Sequence, residues 1–577
     1  MNSLALLASV CWPIVLAAAL LVRPLRGFAR VLVPWAALPG LMVGTIGAVD
    51  ADLEWLLLGG RIGLDPIADV MLPVTAGLWL AAGLFAQGYL RAGARRDRFF
   101  VWFLAAMSGN LLLLVALDAI VFYLGFALMS FASYGLVVHE GDARARHAGR
   151  YYITLVVIGE VCVISALMLL ASRGPIEFSS LRLAFLGDGL GRNNLVVGLL
   201  LVGFGIKAGV FGLHFWLPLA HPVAPAPASA VLSGAMIKAG LVAWMRLLPL
   251  GEMALPYWGA GLAVLGLFTA YYGVLAGLPQ REAKTVLAYS SVSQMGVMSM
   301  AIGLGLAFPD HWPSLFAAIL VYMVHHSLVK GGLFLGAGLV QHALSPAAAR
   351  IAAVVLVLGA LALAGGPLTG GLVAKLALKQ TAVLIAGPWG SALQILLSVS
   401  SALTALLMVR FLWIAWPRSR AGAESLPLIM LAPWLALLAG WLTMPWWLAA
   451  PSLRVEAAGL SAAWSASWPI ALAGATTFGA LRLRRSGRLP AFPQIPAGDL
   501  GITLERGMFA LAHGVGRLFR EDIPRIRDTL AGLASGVTRS VPRWADRLGH
   551  GEARLAAWSV TGLMAVMLTV AIAWLAA

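Results

Sequence analysis

Apolar residues follow one another along this chain in long stretches, and short polar segments separate each stretch from the next. A helix needs about 20 apolar residues to cross the hydrocarbon core of a bilayer, and stretches of this length recur throughout the chain. The pattern predicts an all-α polytopic membrane protein with about 16 transmembrane helices. The first stretch has no basic residue in front of it, which is typical of a first span rather than of a cleaved signal peptide.

The arginines of the polar segments predict the orientation of the spans. Basic clusters follow the odd-numbered spans, whereas the even-numbered connections are acidic or mixed. By the positive-inside rule, the odd connections face the cytoplasm of a bacterial inner membrane and both termini face the periplasm. The basic clusters are Arg23, Arg26 and Arg30; Arg91, Arg95, Arg96 and Arg98; Arg144, Arg146 and Arg150; Arg281 and Lys284; Arg418 and Arg420; and Arg482, Arg484 and Arg485.

Composition supports this class and excludes several others. The 577 residues are 61% hydrophobic and only 11% charged, which is far from the balance of a soluble domain. The net charge of +16 comes from arginines in connections, so it indicates topology and contact with the lipid bilayer rather than nucleic-acid binding. Cys11 and Cys162 lie in apolar runs, and no nucleotide-binding, metal-binding or nucleophile motif is present. We therefore expect no cofactor, no metal and no covalent chemistry in this chain alone.

The use of lysine is the most informative feature of the sequence. Only six of the 40 basic residues are lysines, and five of these lie inside predicted spans. Arginine stays protonated in a protein, whereas a buried lysine can lose its proton. An ionised group at the bilayer centre costs at least about 2.5–3.5 kcal/mol, so the lysines predict a proton relay. Structural ion pairs or lysines that extend to the membrane surface are the alternative, and the latter fits Lys379 best. The lysines within spans are Lys207, Lys238, Lys330, Lys375 and Lys379.

Glycines interrupt two of the spans that carry lysines. Gly203, Gly205, Gly209 and Gly212 surround Lys207, and five glycine or proline residues at 365–371 precede Lys375. One such interruption is most simply a kink. A pair of interrupted spans in corresponding halves of a transporter indicates the ion path, because the freed backbone groups need polar partners.

A few other ionisable residues complete the predicted relay. His326 and Lys330 are four residues apart, so they share a helix face, and together they offer two bases of different strength. His325 points elsewhere on that helix and is interpreted as a core histidine. Glu160 lies midway along a predicted span, and we expect it to stabilise the charged form of Lys207.

Several ordered motifs carry the lysines and histidines of the predicted relay. The motifs are GFGIKAG at 203–209, LHFWLP at 213–218, SAVLSGAMIK at 229–238, AYSSVSQMG at 288–296, HSLVKGGLFL at 326–335 and GPLTGGLVAK at 366–375. Between about residues 60 and 415 the chain thereby resembles the proton-conducting antiporter-like membrane subunits of complex I, Mrp antiporters and membrane-bound hydrogenases. The details Ala-His-Pro at 220–222 and Leu-Gly-His-Gly at 548–551 are most similar to the branch of hydrogenase-4 component B and formate hydrogenlyase subunit 3.

The resemblance implies a domain plan. Three N-terminal helices at 1–98 precede two inverted five-helix repeats at 99–248 and 257–415, each with a broken helix. Two further spans occupy 427–482, and a last span occupies 556–577. The segment 487–555 is similar to the lateral surface helix of the family, although a flexible cytoplasmic linker is the alternative.

The resemblance also implies roles for residues. Lys207 pairs with a carboxylate, Lys238 is the relay lysine and Lys375 is the exit residue. The predicted relay comprises Glu160, Lys207, Lys238, His326, Lys330 and Lys375, with Asp118, His214, His221, Tyr322 and Lys379 as accessory residues.

One position departs from the family pattern. The family has a glutamate in a Trp-Glu-Leu-Met-Ser segment, whereas this chain reads Gly-Phe-Ala-Leu-Met-Ser at 125–130, with Ala127 in place of the acid. Either Glu160 has taken over the role of the family glutamate, or the first half-channel is altered or inactive. We favour Glu160 because it lies at mid-membrane depth. Asp118, near the membrane face, is a weaker substitute.

Three functions stay open on this sequence. The first is an ion-translocating subunit of a redox-driven complex, with other membrane subunits and a peripheral redox arm as partners. The second is a proton channel or cation/proton antiporter subunit that serves a non-redox partner, such as a CO2-uptake complex. The third is a membrane anchor whose channel has lost its activity. The sequence does not separate H+ from Na+, nor does it give the direction of transport.

Overall fold

The computed structural model describes residues 2–43, 50–54, 56, 59–90, 94–186, 190–341, 343–385, 387–423, 425–486 and 495–498. The chain divides into two compact units, Met1–Ala497 and Gly498–Ala577. Nearly all of the predicted surface segment at 487–555, and the whole predicted last span at 556–577, lie outside the described residues.

The described part of the first unit is built almost entirely of helices, which confirms the all-α class. Most helices are apolar throughout, as expected for segments that lie among other helices or lipid. The helices up to residue 247 are α1 (Asn2–Leu21), α2 (Arg26–Leu32), α3 (Leu38–Val43), α4 (Pro66–Tyr89), α5 (Ala94–Val115), α6 (Ala119–Val137), α7 (Ala143–Ala171), α8 (Phe178–Leu183), α9 (Leu190–Ala208), α10 (Trp216–Val223), α11 (Ala226–Gly234) and α12 (Ala239–Leu247). The remaining helices are α13 (Pro256–Gly277), α14 (Ala283–Ala307), α15 (Trp312–Leu339), α16 (Pro346–Ala364), α17 (Gly370–Ile385), α18 (Gly390–Ile414), α19 (Leu428–Leu448), α20 (Pro451–Ala458) and α21 (Leu460–Arg485).

Within the described residues, 12 helical segments are long and apolar enough to cross a membrane. The number of 16 spans stays a prediction. The second predicted N-terminal span is divided into α2, a 3-10 turn at Val33–Trp35 and α3. A two-stranded antiparallel hairpin, β1 (Asp50–Asp52) and β2 (Arg61–Gly63), connects this region to α4.

Three transmembrane helices are interrupted. The predicted breaks near Lys207 and Lys375 are confirmed: α9 ends at Ala208 before α10, and α16 ends at Ala364 before α17. Gly209 at φ +71° and Gly365 at φ +82° occupy the left-handed region that glycine adopts without strain. The third break separates α11 from α12 by a 3-10 turn at Met236–Lys238. This break was not predicted, because only Gly234 signals it in the sequence.

Glycines also allow helices to approach closely. A Cβ added at Gly266 on α13 would lie 2.4 Å from the Met300 nitrogen on α14, and one at Gly109 on α5 would lie 2.4 Å from the Met129 nitrogen on α6. Small residues permit this close packing of backbones within membranes. When the short helix α8 is left aside, a broken helix is the fourth unit in chain order both in α5–α12 and in α13–α18. The inverted relation between these two segments stays a prediction.

Candidate functional site

Lys207 lies at the end of α9, just before the first break, and its side chain is buried among polar and aromatic groups. Its ammonium donates to Ser130 Oγ at 3.4 Å and to Tyr152 Oη at 3.3 Å. The rings of Phe126, Tyr152 and Trp216 lie 5.7–6.0 Å from the nitrogen, a range in which aromatic faces attract a cation. The site can therefore hold a lysine in its charged form.

Glu160, in the middle of α7, supplies the acidic group of this region. Its side chain is buried, and Lys207, Tyr123 and Ser130 are its electrostatic neighbours. Lys207 does not donate a hydrogen bond to it, and neither carboxylate oxygen has a hydrogen-bond partner within 3.5 Å among the described residues. Ser130 therefore neighbours both the acid and the lysine.

The approach of α7 to α9 brings the acid near the lysine. A Cβ added at Gly203 would lie 2.7 Å from Val163 Cγ2 and 3.1 Å from the Gly159 carbonyl oxygen, so only glycine fits there. Trp216 of α10 donates its indole N–H to the Ile206 carbonyl at 2.7 Å. The same carbonyl also accepts from the Gly209 N–H at 3.3 Å, so the indole adds a second donor at the break.

Lys238 lies at the break between α11 and α12 and is 1% exposed. Its ammonium donates to the Ser233 main-chain carbonyl at 2.6 Å. The 3-10 turn frees carbonyls at the end of α11, and the lysine satisfies one of them. The lysine is therefore held by a backbone dipole rather than by a carboxylate.

Lys330, on α15, has the same kind of partner. It is fully buried, and its ammonium donates to the Leu287 carbonyl of α14 at 2.8 Å. Ser291 Oγ donates to the same carbonyl at 3.0 Å and lies 2.7 Å from Ser233 Oγ. A chain of short polar contacts thus connects the residue that holds Lys238 with the carbonyl that holds Lys330.

Two buried histidines, His326 and His221, lie near these lysines. His326 neighbours Lys238 and Lys330 electrostatically, and His221 neighbours Lys330 and Lys284 while its ring stacks on Phe334 at 4.4 Å. Neither ring nitrogen of His326 or of His221 has a hydrogen-bond partner in the described part of the chain. Imidazole can both accept and donate a proton, which suits a position between lysines.

His325 lies nearer the second interrupted helix. Its ring neighbours Lys375, Lys238 and the Ala362 carbonyl, at the end of α16. The residue that the sequence suggested as a core histidine therefore lies between Lys238 and Lys375.

Lys375 and Lys379, on α17, line a cavity of about 60 Å³ together with Tyr322 and Gln294. Lys375 donates to the Ala364 carbonyl at 2.9 Å, which again is a carbonyl at a helix break. Tyr322 donates to Gln294 Oε1 at 2.7 Å. The cavity has room for several water molecules, which are the usual partners of polar groups at such a depth.

Lys284 was predicted to lie in a connection between spans, but the structure places it inside a helix. It lies in the first turn of α14 with 6% of its surface exposed, and its ammonium donates to the Ala224 carbonyl at 2.7 Å. It also lines a cavity of about 420 Å³ beside the ion pair of Arg144 and Glu282, whose closest atoms are 2.8 Å apart. The carbonyl at the end of α10 explains its burial, because it gives the charge a partner.

Asp118 and His214 lie away from these contacts. Asp118 caps α6 by accepting from the Ile120 and Val121 N–H groups, each at 2.9 Å. Burial raises the pKa of its carboxyl above the ordinary value. His214 lies in the segment between α9 and α10 and packs against Phe215 and Tyr272, with ring centroids 4.8 and 5.3 Å apart.

Several polar residues of the site were missed at the sequence level. They are Ser130, Tyr152, Ser233, Ser291, Gln294 and Lys284, together with buried Arg246 and half-buried Asp65, whose mutual hydrogen bonds are 2.8–2.9 Å long. A signal existed for Ser130, which is three residues from Ala127 and so shares its helix face. No group of three or more His, Cys, Asp or Glu in the described residues is arranged to hold a metal ion.

Comparisons with known proteins agree with this fold. The chain is 34% identical over 289 residues to hydrogenase-4 component B of Escherichia coli (strain K12), covering 48% of this chain and 42% of that protein. It is 26% identical over 567 residues to formate hydrogenlyase subunit 3 of the same organism, covering 89% and 91%. The fold is similar to a chain of the Mrp complex from Dietzia sp. DQ12-45-1b, with a TM-score of 0.75, 21% identity and coverage of 94% of this chain and 63% of that chain.

The chain spans 42% to 56% of the length of the first three curated relatives that it matches. Residues 116–404 match the family model described as NADH:quinone oxidoreductase/Mrp antiporter, TM. The matched segment begins before α6 and ends within α18, so it contains every lysine described above. The resemblance predicted from the motifs is confirmed, and the chain belongs to the NADH:quinone oxidoreductase/Mrp antiporter transmembrane family.

Proposed function

We propose that this protein is a proton-translocating subunit of a multisubunit membrane complex. Protons move between Lys207, Lys238, Lys330 and Lys375 with the help of the histidines that lie among them. The observation that carries the proposal is the line of buried polar residues from Lys238 through Lys330 and His326 to His325 and Lys375. Buried lysines without carboxylate partners are costly in a membrane, so a function is the best reason to keep them.

Glu160 acts in this proposal as the acid of the first region, which comprises Lys207 and its surroundings. It neighbours both Lys207 and Ser130, and Ser130 lies one helical turn from Ala127, where the family has its glutamate. A carboxylate near the lysine favours the charged lysine, and a change in their separation favours release of the proton. The relocated acid keeps the first half of the path active.

Lys284 and His221 connect the second region, which comprises Lys238, Lys330 and their surroundings, to the cavity beside Arg144. His221 neighbours Lys284 on one side and Lys330 on the other. The cavity lies at the end of the helices that carries the predicted cytoplasmic connections, including Arg144 and Arg418. We assign this route to proton uptake from the cytoplasm of a bacterial inner membrane, with both termini on the periplasmic side.

The partners follow from the relatives, which are subunits of larger complexes. Hydrogenase-4 component B and formate hydrogenlyase subunit 3 carry the names of redox systems. These names lead us to propose that a peripheral redox arm and other membrane subunits supply the energy. Lys375 and the cavity beside it lead the proton out.

The test begins with the intact complex, purified gently from membranes, and with identification of its subunits by mass spectrometry. The complex is then reconstituted into vesicles, and internal pH is followed while the substrate of the partner is supplied. We expect a redox partner and a pH change that Lys238→Ala abolishes. A zinc enzyme as partner would favour the carbon-uptake function, and an Na+-dependent pH change would favour a cation/proton antiporter. Equal pH changes in the wild-type and Lys238→Ala complexes would reject proton transfer through Lys238.

A further inference from the structure

We propose that Ser233 and Ser291 are positioning residues that couple the charge state of Lys330 to Lys238. The inference rests on the proposed proton path and adds a specific connection within it. The two hydroxyl oxygens are 2.7 Å apart and both side chains are fully buried. They join α11, which ends shortly before Lys238, to α14, which supplies the carbonyl that holds Lys330.

Each serine touches the partner of one lysine. The Ser233 main-chain carbonyl accepts from Lys238 at 2.6 Å. Leu287, one turn before Ser291, has a carbonyl that accepts from Lys330 at 2.8 Å and from Ser291 at 3.0 Å. Within α14 the Leu287 carbonyl also accepts the helical N–H of Ser291, so the ammonium and the hydroxyl compete for its one remaining lone pair.

The competition gives the hydroxyl pair two arrangements. A hydroxyl has one proton to donate, so Ser291 donates either to the Leu287 carbonyl or to Ser233. When Lys330 is charged, its stronger hydrogen bond occupies the carbonyl and Ser291 turns toward Ser233. When Lys330 is neutral, Ser291 returns to the carbonyl and Ser233 donates to Ser291 instead. The direction of the hydroxyl dipoles beside Lys238 thus depends on the charge of Lys330, and no covalent bond changes.

A simpler role for Ser291 would be the bond that serines commonly make to the carbonyl four residues earlier in a helix. That role explains the contact with Leu287 and nothing else. It does not explain the second contact, to a serine on another helix, nor the shared acceptor. Ser290, the preceding residue on α14, is equally buried and has no hydroxyl partner among the described residues, so it provides a matched control.

The experiment measures proton uptake by vesicles that contain the purified complex, driven by an imposed potassium diffusion potential and followed with an internal pH dye. Coupling between sites is commonly worth 5-fold or more, so Ser233→Ala and Ser291→Ala should each lower the rate by about 5-fold or more. Ser290→Ala should leave it within about 2-fold, since surrounding contacts are kept. Ser291→Thr and Ser233→Thr keep a hydroxyl and should restore most of the rate.

The double variant distinguishes a coupled pair from two structural serines. If the hydroxyls act as one unit, Ser233→Ala with Ser291→Ala should lower the rate no more than either single variant. Multiplying losses, or equal losses for Ser290→Ala and Ser291→Ala, would overturn the inference. Assembly is checked for every variant by size and thermal unfolding of the complex. Lys238→Ala in the same vesicles separates the two proposals, because an unchanged rate there rejects the path itself.

Discussion

The buried charge of Lys207 and those of Lys238 and Lys330 are stabilised by different kinds of groups. Lys207 has hydroxyls, aromatic rings and a buried carboxylate near it. Lys238 and Lys330 are held by main-chain carbonyls, and in the described residues the only buried acids are Glu160 and Asp118, neither of which lies beside them.

The difference has a physical consequence. A nearby carboxylate stabilises a charged lysine by a full opposite charge, whereas a carbonyl offers only a dipole. The first region is therefore suited to storing a proton on lysine. The second is suited to passing it on, because its lysines lose less when they become neutral.

Replacement of Lys330 by arginine should have the largest effect. Arginine keeps the positive charge but does not release its proton in a protein. We expect proton uptake into vesicles to fall about 100-fold, as it does when a group that transfers protons is lost. Retention of the wild-type rate would mean that Lys330 contributes charge alone.

Replacement of Glu160 by glutamine should have the next largest effect. The change keeps the shape and removes the charge that favours protonated Lys207, so we expect a loss of about 10-fold or more in proton uptake. Glu160→Asp, which keeps the charge, is the matched control.

A second substitution sharpens this test. Ala127→Glu should restore part of the rate in the Glu160→Gln protein, because residue 127 shares a helix face with Ser130, which contacts Lys207. Failure of both Ala127→Glu and Glu160→Asp to retain activity would contradict the assignment of a carboxylate to the first region.

Gly203→Ala should separate α7 from α9. The added Cβ would lie 2.7 Å from Val163 Cγ2, so the helices must shift, and overpacking of this kind costs about 1–3 kcal/mol. We expect a lower thermal unfolding midpoint and a loss of proton uptake smaller than that of Glu160→Gln. Gly198→Ala, on the same helix, meets its nearest atom at 3.4 Å and should change neither quantity.

Lys379→Ala should have the smallest effect. Lys379 is partly exposed and donates to Ser398 at 2.8 Å across the cavity that it shares with Lys375. A partly exposed lysine is hydrated and stays protonated, so it does not need to pass its proton on. We therefore expect proton uptake by Lys379→Ala within about 2-fold of wild type. A loss equal to that of Lys375→Ala would extend the exit path to both residues.

Much of the fold follows from the sequence because membrane spans are defined by length and apolarity. The breaks at Lys207 and Lys375 were predictable because left-handed glycines accompany them. The break at Lys238 was not, since it is made by a 3-10 turn at Met236–Lys238 and only Gly234 marks it.

The site was predicted less completely. Lysines and Glu160 stand out because charges are rare in spans, whereas serines are common there and gain significance only from their neighbours. Ser233 and Ser291 are 58 residues apart, and nothing in the sequence indicates that their hydroxyls meet. Lys284 was misplaced because its burial depends on the Ala224 carbonyl, which comes from another helix.

The most direct test of the proposed path is proton uptake by vesicles that contain the complex with Lys238→Arg, compared with wild type and with Lys379→Ala. Lys238→Arg keeps the charge at the break but holds its proton too tightly to pass it on. If protons pass through Lys238, we expect uptake to be lost in Lys238→Arg and retained in Lys379→Ala. Wild-type uptake in Lys238→Arg would contradict it, because the path would then not pass through a proton on Lys238.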